Sequence, residues 1–344
     1  MPDRDIDEFD VSLLDALHRH PRASFEQLGT TLEVSSATVA RRWQRLVGSG
    51  RAWVSSVPGP RLSLAAAMYE VGCVPGQVVR VGRALAALPQ VASVYLTAGT
   101  FDLTTLVIAA DMSSLSELLL DRLSGIDGMS RVRINVAIAW YSDAHWRLGA
   151  ISGEQERSVG GEAASGGPIP GAGLRFEPAD RALYLALQHD GRAGYRDLAR
   201  RLGTSEQLVK RRMTVLTSQR MLRFRTDFTR TEGGWPTQLV LWLVVPDDQL
   251  AEAGAVISTW PETRICLSVL GPANLFVKLQ LHRLNQVEPL FDRIRSALPA
   301  AVIADRRMVL RPMKSWGRVL DGGGRAVAVV PVDPWAEPDH QFPA

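Results

Sequence analysis

The sequence predicts an α+β protein in which one unit occurs twice, and two observations support this. Asp10–Leu46 aligns without a gap on Asp180–Leu216, an offset of 170 residues. After each of these helical segments the pattern changes to alternating strands and helices. An internal duplication fixes the architecture before any motif is considered. We therefore expect two helical heads and two mixed domains.

The first head, residues 1–60, is predicted to contain three short helices followed by a strand pair. Apolar residues share one face of the first helix, and serines stand where the second and third helices would need N-caps. This order is typical of a winged helix-turn-helix. The predicted features are a helix end near Pro21, a second helix at Phe25–Leu32 capped by Ser24, a third helix from Ser35 or Ser36 to about Gly48, and a wing at Ala52–Val57.

Residues 61–148 follow the order βαββαβ, which is the ferredoxin-like split unit. Such an antiparallel sheet carries both helices on one face and leaves the other face to be covered. A homo-oligomer is therefore expected, and pairing of the two domains within one chain is the alternative. The predicted elements are Ala65–Val74, Gln77–Leu88, Val91–Thr97, Phe101–Ala109, Ser114–Leu123 and Arg131–Trp140.

The second copy comprises a second winged helix-turn-helix head at residues 180–232 and a βαββαβ domain at residues 233–320. In the latter, Gln249, Pro261 and Gly271 repeat Gln77, Pro89 and Gly99 at an offset of 172. Residues 149–179 are rich in glycine and are expected to form a flexible linker. Residues 321–344 are expected to be a mobile tail. The predicted elements of the second domain are Thr237–Val245, Gln249–Thr259, Arg264–Val269, Leu275–Leu281 and Val287–Leu298.

The third helix of the first head has the character of a DNA-reading helix. Its core positions share one face, and arginines with polar residues occupy the other. Between Val34 and Arg61 there are five arginines and no acid. Arginine can fork onto guanine in the major groove, while a helix N-terminus with serines holds phosphate. The candidate DNA-binding residues are Ser35, Ser36, Thr38, Arg41, Arg42 and Arg45.

The second head is more basic, with eleven basic residues against three acids between Arg192 and Arg230. This is a large electrostatic footprint. Glu206 lies near the helix start, however, so this head is expected either to read DNA or only to hold it. Its candidate residues are Ser205, Gln207, Lys210, Arg211 and Arg212.

These motifs resemble the Lrp/AsnC (leucine-responsive, or feast-famine) regulators. The resemblance lies in Leu198–Ser205 with Val209, Arg212 and Leu216, and in the same pattern of the first head. It implies a sequence-specific transcriptional regulator that binds double-stranded DNA, and a βαββαβ domain that binds a small effector, by default an amino acid, and oligomerises. Two features depart from the family: the tandem arrangement, and Arg220 in place of the glycine expected after the recognition helix.

In that family a Gly-x-x-Asp segment lies near the effector pocket. Here it corresponds to Gly99, Thr100 and Asp102, and in the second copy to Gly271 and Asn274. Asp102 is expected either to accept hydrogen bonds from a ligand ammonium group or to stabilise the turn through the backbone. The second site, without this charge, should be weaker or serve only assembly.

Other features narrow the class of protein. The net charge of +3 implies no partner by itself, and the two cysteines lie far apart in apolar segments. We expect a cytoplasmic protein without a membrane segment, a cofactor or a metal, and without catalytic residues, since no catalytic or metal-binding motif is present. The alternatives are a nucleoid-type architectural DNA-binding protein without ligand and, more remotely, an enzyme similar to the haem-pathway decarboxylases that share this fold.

Overall fold

The computed structural model describes residues 5–142, 146–159 and 176–337. The α-helices are α1 (Glu8–Arg19), α2 (Phe25–Thr31), α3 (Ser36–Gly48), α4 (Val78–Ala86), α5 (Met112–Glu117), α6 (Gly153–Val159), α7 (Pro178–His189), α8 (Tyr195–Leu202), α9 (Glu206–Ser218), α10 (Leu250–Ser258) and α11 (Val287–Ala297). The strands are β1 (Ala52–Pro58), β2 (Ala65–Cys73), β3 (Val91–Ala98), β4 (Leu103–Ala109), β5 (Met129–Trp140), β6 (Leu222–Phe228), β7 (Thr237–Val244), β8 (Thr263–Leu270), β9 (Leu275–Leu281), β10 (Val302–Ser315), β11 (Arg318–Leu320) and β12 (Ala326–Val329).

The chain divides into two compact units, and each contains the corresponding parts of both copies. One unit contains the two heads, residues 1–63 and 144–229. The other contains the two βαββαβ domains, residues 64–143 and 230–344. No helix within the described ranges is long and apolar enough to cross a membrane.

Each head has the three predicted helices, and local capping explains where they begin. Ser24 and Ser35 accept hydrogen bonds from the backbone of the third residue of α2 and α3, as N-cap serines do. After the third helix, Gly50 has a φ of 68°, and Arg220 at the equivalent position has a φ of 56°. The departure noted in the sequence is therefore a non-glycine residue in a left-handed conformation.

The expected wing within each head is wrong. β1 of the first head pairs antiparallel with β6 of the second, from Ala52 opposite Phe228 to Pro58 opposite Leu222. The two strands form a two-stranded sheet that joins the heads. Each head therefore supplies one strand, and neither head completes a wing on its own.

The expectation of a flexible linker over residues 149–179 does not hold for its first part. α6 packs against α1 and α2, and Gln155 donates to the carbonyl of Thr31. Just before α6, Asp15 accepts hydrogen bonds from the backbone of Leu148, Ala150 and Ile151. The segment is held in place because the buried carboxylate of Asp15 accepts these three backbone hydrogen bonds. Residues 160–175 lie outside the described residues.

Both βαββαβ domains have the ferredoxin-like strand order. In the first, the strands lie in the order β5-β2-β4-β3, and in the second in the order β10-β7-β9-β8. The strand β10 completes the second domain, and α5 continues into one π-helical turn, Leu118–Arg122. The two domains are thus copies in topology as well as in sequence.

Within the described chain, eight strands close into an antiparallel barrel. β5 of the first domain pairs with β8 of the second, and β10 of the second pairs with β3 of the first. Because β10 also pairs with β7, the ring has no open edge between the two domains. The face that each sheet leaves bare is therefore covered inside the same chain.

The barrel has an outer and an inner apolar layer. Alternate side chains of each domain pack under its own helices, as Tyr69 does in the first and Leu241 in the second. The other side chains meet in one shared inner cluster, to which Met68, Leu106, Val240 and Phe276 belong. Burial of this shared cluster holds the two copies together.

The expected mobile tail is also wrong for residues 321–337. β12 pairs with β11, and Val332 is buried within the inner cluster of the barrel. Further along, Gln90 donates to the carbonyl of Ala336 at 2.9 Å. The segment is ordered because it covers apolar surface of the barrel. Residues 338–344 lie outside the described residues.

Candidate DNA-binding and effector sites

Both third helices begin with an exposed polar turn. Ser35 and Ser205 are exposed N-caps, and their side chains accept hydrogen bonds from the backbone of Thr38 and Leu208. Ser36 and Thr38 are half-buried, whereas Arg41 is exposed one turn further on. In the second head, Gln207, Lys210 and Arg211 are exposed. These two helix starts are the surfaces at which the sequence placed phosphate and base contacts.

Of the three candidate arginines on α3, Arg41 is exposed, whereas Arg42 and Arg45 are half-buried and ion-paired. Arg42 donates to Asp7 at 2.6 Å and reaches Asp10 at 3.4 Å. Arg45 also pairs with Asp10, whose side chain is fully buried. The hydrogen bond to Asp7 holds the pKa of Arg42 above its ordinary value. Both arginines therefore fix α3 to the start of α1.

The second head repeats this arrangement. Arg212 donates through Nε to Asp180 at 2.8 Å and makes a second contact with the other carboxylate oxygen. Asp180 is almost fully buried. Because Asp180 and Arg212 are 170 residues after Asp10 and Arg42, the ion pair belongs to the duplicated unit. Its role is to join two helices, which accounts for an arginine at this position without DNA.

Fewer basic residues are exposed on the second head than the eleven that the sequence contains. Arg225 is buried beside Asp227, with Nε at 3.2 Å from the carboxylate. Arg192 and Arg212 contact the protein itself, and Arg230 belongs to the barrel unit. Those that are exposed in the described chain are Arg196, Arg200, Arg201, Lys210, Arg211 and Arg220.

The first effector segment forms the tip between β3 and β4. Gly99 has a φ of 126°, a conformation that favours glycine. Asp102 accepts a hydrogen bond from the backbone of Cys73 at 2.7 Å, and its own backbone bonds Val71 and Thr97. At least one carboxylate oxygen of Asp102 therefore supports the backbone.

The second segment makes the same bond with an amide. Asn274 accepts from the backbone of Val245 at 2.9 Å and donates to the carbonyl of Val245 at 2.7 Å. Asn274 and Val245 are 172 residues after Asp102 and Cys73. Gly271 allows a close approach, since an added Cβ would lie 2.3 Å from Oδ1 of Asn135. Asparagine keeps the shared structural bond but not the charge.

Sequence reasoning missed a charged cluster beside the first segment. The ring of Phe101 is surrounded by the guanidinium groups of Arg131, Arg133 and Arg307, at 4.7, 4.8 and 5.2 Å from its centroid. Arg131 also donates to the carbonyl of Thr100. Period-two alternation along β5 and β10 is the signal that places these arginines at one end of the barrel.

A buried ion pair joins the two copies at this cluster. Arg307 lies 2.6 Å from Glu70 of the first copy and 2.6 Å from Asp305. Burial is the largest influence on Glu70 and raises its pKa, while Arg307 and Arg133 lower it. The first segment is thus bordered by charges from both copies.

The same positions of the second copy are mostly uncharged. At an offset of 172, Phe101, Arg131, Arg133 and Glu70 correspond to Ala273, Ile303, Asp305 and Trp242. Asn135 stands where the second copy has Arg307. The two segments share a backbone geometry but present different chemistry to a ligand.

These structures define a class of protein with paired helix-turn-helix heads and a paired ferredoxin-like barrel in one chain. Residues 66–146 match the Lrp/AsnC ligand binding domain, and residues 6–47 and 179–217 each match the AsnC-type helix-turn-helix domain. In these three segments, which include both heads and the first βαββαβ domain, the chain matches the Lrp/AsnC family.

Relatives correspond to about one copy of the unit. An uncharacterised HTH-type transcriptional regulator of Pyrococcus horikoshii is 26% identical over 148 residues, which cover 42% of this chain and 91% of the relative. The HTH-type transcriptional regulator Ptr1 of Methanocaldococcus jannaschii is 23% identical over 141 residues, 40% of this chain and 95% of the relative.

One similar solved structure extends over both copies. The siroheme decarboxylase NirDL has a TM-score of 0.55 at 14% identity and covers 90% of this chain and 93% of that chain. At this identity the likeness concerns the fold alone. It places the tandem arrangement among known architectures.

Proposed function

We propose that this protein is a sequence-specific transcriptional regulator whose DNA binding is modulated by a small effector at the loops of the barrel. The observation that carries the proposal is that both heads match the AsnC-type helix-turn-helix domain and both expose the first turn of the third helix. The paired heads predict a DNA site with repeated half-sites.

The exposed side chains divide the work of DNA recognition. Ser35 and Ser205, with the amides of the helix starts, are suited to hold phosphate. We infer that Arg41 and Arg211 reach base edges, since each is exposed about one and a half turns into its helix. Arg42, Arg45 and Arg212 contribute indirectly, because their ion pairs hold the third helix of each head against the start of its first helix.

The test is selection of genomic fragments at about 150 mM salt, followed by sequencing and binding measurements on the selected motif. We expect a recurring motif with spaced half-sites. Arg41→Ala should weaken binding to that motif by about 1–3 kcal/mol, concentrated at particular base positions. Arg295→Ala on the exposed face of α11 is the matched control and should leave binding unchanged.

The architectural alternative predicts a different pattern. Enrichment without a motif, together with a uniform loss across sequences for Arg41→Ala, would favour a nucleoid-type protein that touches only phosphate. Absence of DNA binding in the intact chain would exclude both DNA-binding functions.

The effector is expected at the first segment, Gly99, Thr100 and Asp102. The guanidinium groups of Arg131 and Arg133 suit a carboxylate, and the nearby acids suit an ammonium group, so an amino acid fits this chemistry. The second segment, Gly271 and Asn274, is expected to be weak because it lacks these charges.

The effector is tested by adding each of the common amino acids to the DNA-binding assay. One of them should shift affinity by about 5–150-fold, which corresponds to a coupling of about 1–3 kcal/mol. Arg133→Gln should reduce this shift without changing DNA binding in its absence. An unaltered shift in Arg133→Gln would place the effector elsewhere.

An enzyme is the second candidate, and the likeness of the whole tandem fold to NirDL supports testing it. A decarboxylase of that kind would need a tetrapyrrole pocket lined by histidines. Within the described barrel unit, His282 has Nδ1 bonded to the carbonyl of Gly234. If the protein is such an enzyme, titrating it into an iron-uroporphyrin III analogue should change the absorbance spectrum of the analogue. An unchanged spectrum would exclude the enzyme hypothesis.

A homo-oligomer remains a prediction. It was expected because each sheet leaves one face bare, but the closed barrel covers these faces within one chain. Light scattering of the purified protein measures the assembly directly. A monomer would still present two heads to DNA.

A further inference from the structure

The two strands that join the heads are related by a pseudo-two-fold axis. β1 and β6 are antiparallel, and Ser55 lies directly opposite Arg225 at the middle of the seven paired positions. Ser55 and Arg225 are equivalent residues of the two copies, at the offset of 170. An antiparallel pair of equivalent strands in this register is symmetric about its centre. A half-turn about this point therefore exchanges β1 and β6.

Contacts between the heads follow the same symmetry. The guanidinium carbon of Arg22 lies 5.6 Å from the centroid of the Tyr195 ring, and that of Arg192 lies 4.9 Å from the centroid of the Phe25 ring. Each contact repeats the other at the offset of 170, with the copies exchanged. The third helices, α3 and α9, are thus related by a half-turn. This arrangement matches two inverted half-sites on DNA, since operator symmetry mirrors the two-fold symmetry of the protein.

The two third helices have a serine and an arginine at equivalent exposed positions. Ser35 and Ser205 are the N-caps, and Arg41 and Arg211 lie six residues further on. All four are exposed. Because arginine on the O6 and N7 atoms of guanine is the commonest base-specific contact in the major groove, the two half-sites are expected to share a guanine.

Between these shared positions the two helices carry different residues. Ala37 and Thr38 of the first helix correspond to Gln207 and Leu208 of the second. Gln207 and Leu208 are both exposed, and Leu208 exposes 41% of its surface. A leucine with this exposure contributes little to the packing of its own head. The second helix therefore presents an amide and an apolar side chain where the first presents a methyl group and a hydroxyl.

The side chains of the second helix suit particular base edges. A glutamine forms two hydrogen bonds with adenine, and an apolar side chain packs against the methyl group of thymine. Ala37 has no group that could bond adenine in this way. Glu206 also differs from its counterpart Ser36, but an acid in the first turn is favoured by the helix dipole without any DNA. The difference in base preference therefore depends on Gln207 and Leu208.

We propose that the protein binds an imperfect inverted repeat in a single orientation. Both halves contain the guanine contacted by Arg41 or Arg211. The second half alone contains an adenine and a thymine selected by Gln207 and Leu208. Because both heads belong to one chain and one compact unit, every molecule carries one head of each kind. This inference rests on the proposed function and specifies the kind of DNA site that the two heads recognise.

The experiment begins with selection of sites by the full chain from randomised DNA duplexes at about 150 mM salt. The selected sites should form an inverted repeat with unequal halves. Affinities are then measured for three duplexes, namely the selected site and the two symmetric repeats made from either half. The selected site should bind at least about tenfold more tightly than either symmetric repeat, because a mismatched base pair costs about this factor.

A double variant makes the second helix like the first at the two differing positions. Gln207→Ala/Leu208→Thr should reverse the preference, so that the symmetric repeat of the half without the adenine and thymine binds more tightly than the selected site. Because this variant gains a preference for another duplex, unfolding cannot imitate the result. Glu206→Ser, in the same turn of α9, is the matched control and should change the affinity for all three duplexes by a common factor.

The converse variant makes the first helix like the second. Ala37→Gln/Thr38→Leu should prefer the symmetric repeat of the half that contains the adenine and thymine. Together the two double variants assign each half of the site to one head. Unaltered preferences in both of them, or an equal change of preference in Glu206→Ser, would overturn the assignment to Gln207 and Leu208.

The symmetry of the selected site separates this inference from the regulator proposal. A motif with two equal halves, or equal affinity for the three duplexes, would overturn the inference and leave a sequence-specific regulator. Half-sites arranged as direct repeats would also overturn it, because they contradict the half-turn between α3 and α9. Absence of any motif would overturn both the inference and the proposed function.

Discussion

Arg22 and Arg192 occupy equivalent positions of the two heads, and each donates to main-chain carbonyls of the other head. Arg22 bonds the carbonyls of Gly191 and Ala193, and Arg192 bonds those of Pro21 and Ala23 at 2.7 and 2.6 Å. Burial lowers the pKa of Arg192 to about 10, with Arg22 as a further cause. The exchange fixes the heads as a pseudo-symmetric pair.

We expect Arg192→Ala to loosen this pair. Loss of two charged hydrogen bonds should lower the stability of the head unit by about 2–3 kcal/mol. Hydrogen exchange of the β1 and β6 amides measures this. Exposed Arg196→Ala is the control and should change stability by less than about 0.5 kcal/mol. Equal protection in both variants would show that the strand pair alone holds the heads.

Arg220→Gly should stabilise the protein. Arg220 is exposed and has a φ of 56°. A residue with a side chain costs about 1–2 kcal/mol in the left-handed conformation, and glycine avoids this cost. Glycine also loses more backbone entropy on folding, which offsets part of the gain in stability. The expected net gain is about 0.5–1 kcal/mol in urea unfolding. The converse change, Gly50→Ala in the first copy, should be destabilising, and a destabilising Arg220→Gly would show that its side chain makes an essential contact.

Asp102 and Asn274 allow the structural bond to be separated from the charge. Asp102→Asn should retain the bond to Cys73, as Asn274 retains the bond to Val245, and leave stability nearly unchanged. Asp102→Ala should cost about 1–2 kcal/mol, because the half-buried amide of Cys73 loses its acceptor. Thermal unfolding measures both. If effector response falls in Asp102→Asn while stability is kept, the carboxylate contacts the ligand.

Stability should depend on pH through Lys314. Its side chain is fully buried and donates to the carbonyl of Leu88 at 2.8 Å, and burial lowers its pKa to about 7. The unfolded chain therefore binds one more proton between about pH 7 and its ordinary pKa near 10.5, and stability rises with pH across that window. Below about pH 7 the lysine is charged in both states and its burial costs most.

Lys314→Met should therefore stabilise the protein more at pH 6 than at pH 10, by at most about 5 kcal/mol at about 1.4 kcal/mol per pKa unit. Leu88 keeps a donor in the backbone of Val91. Urea unfolding at the two pH values is the measurement. A stabilisation independent of pH would show that Lys314 is charged throughout.

The duplication and the period-two patterns predicted the heads and both βαββαβ domains from the sequence. Local signals were sufficient there, because caps such as Ser24 and alternation along β2 act over a few residues. The pairing of β1 with β6 was not predictable in this way, because the paired residues are about 170 positions apart in the sequence. Each strand by itself has the pattern of one strand of a wing.

The surroundings of the candidate site residues were less predictable, for the same reason. Arg41 and Arg42 are neighbours on a basic helix, and only the position of Asp7 and Asp10 separates the exposed one from the paired one. The glycine-rich composition of residues 149–179 gave no sign that Asp15 would anchor the start of this segment. Period-two alternation along β5 and β10 was the signal available for the cluster around Phe101.

Closure of the barrel by β10 has an evolutionary consequence. In an assembly of identical subunits, every substitution appears on both sides of the interface at once. Here the equivalent positions Glu70 and Trp242 carry different residues, as do Asn135 and Arg307, so the two sides of the interface can change separately. Dilution does not separate the two halves, because one chain contains both. The chain behaves as an obligate heterodimer encoded at fixed stoichiometry.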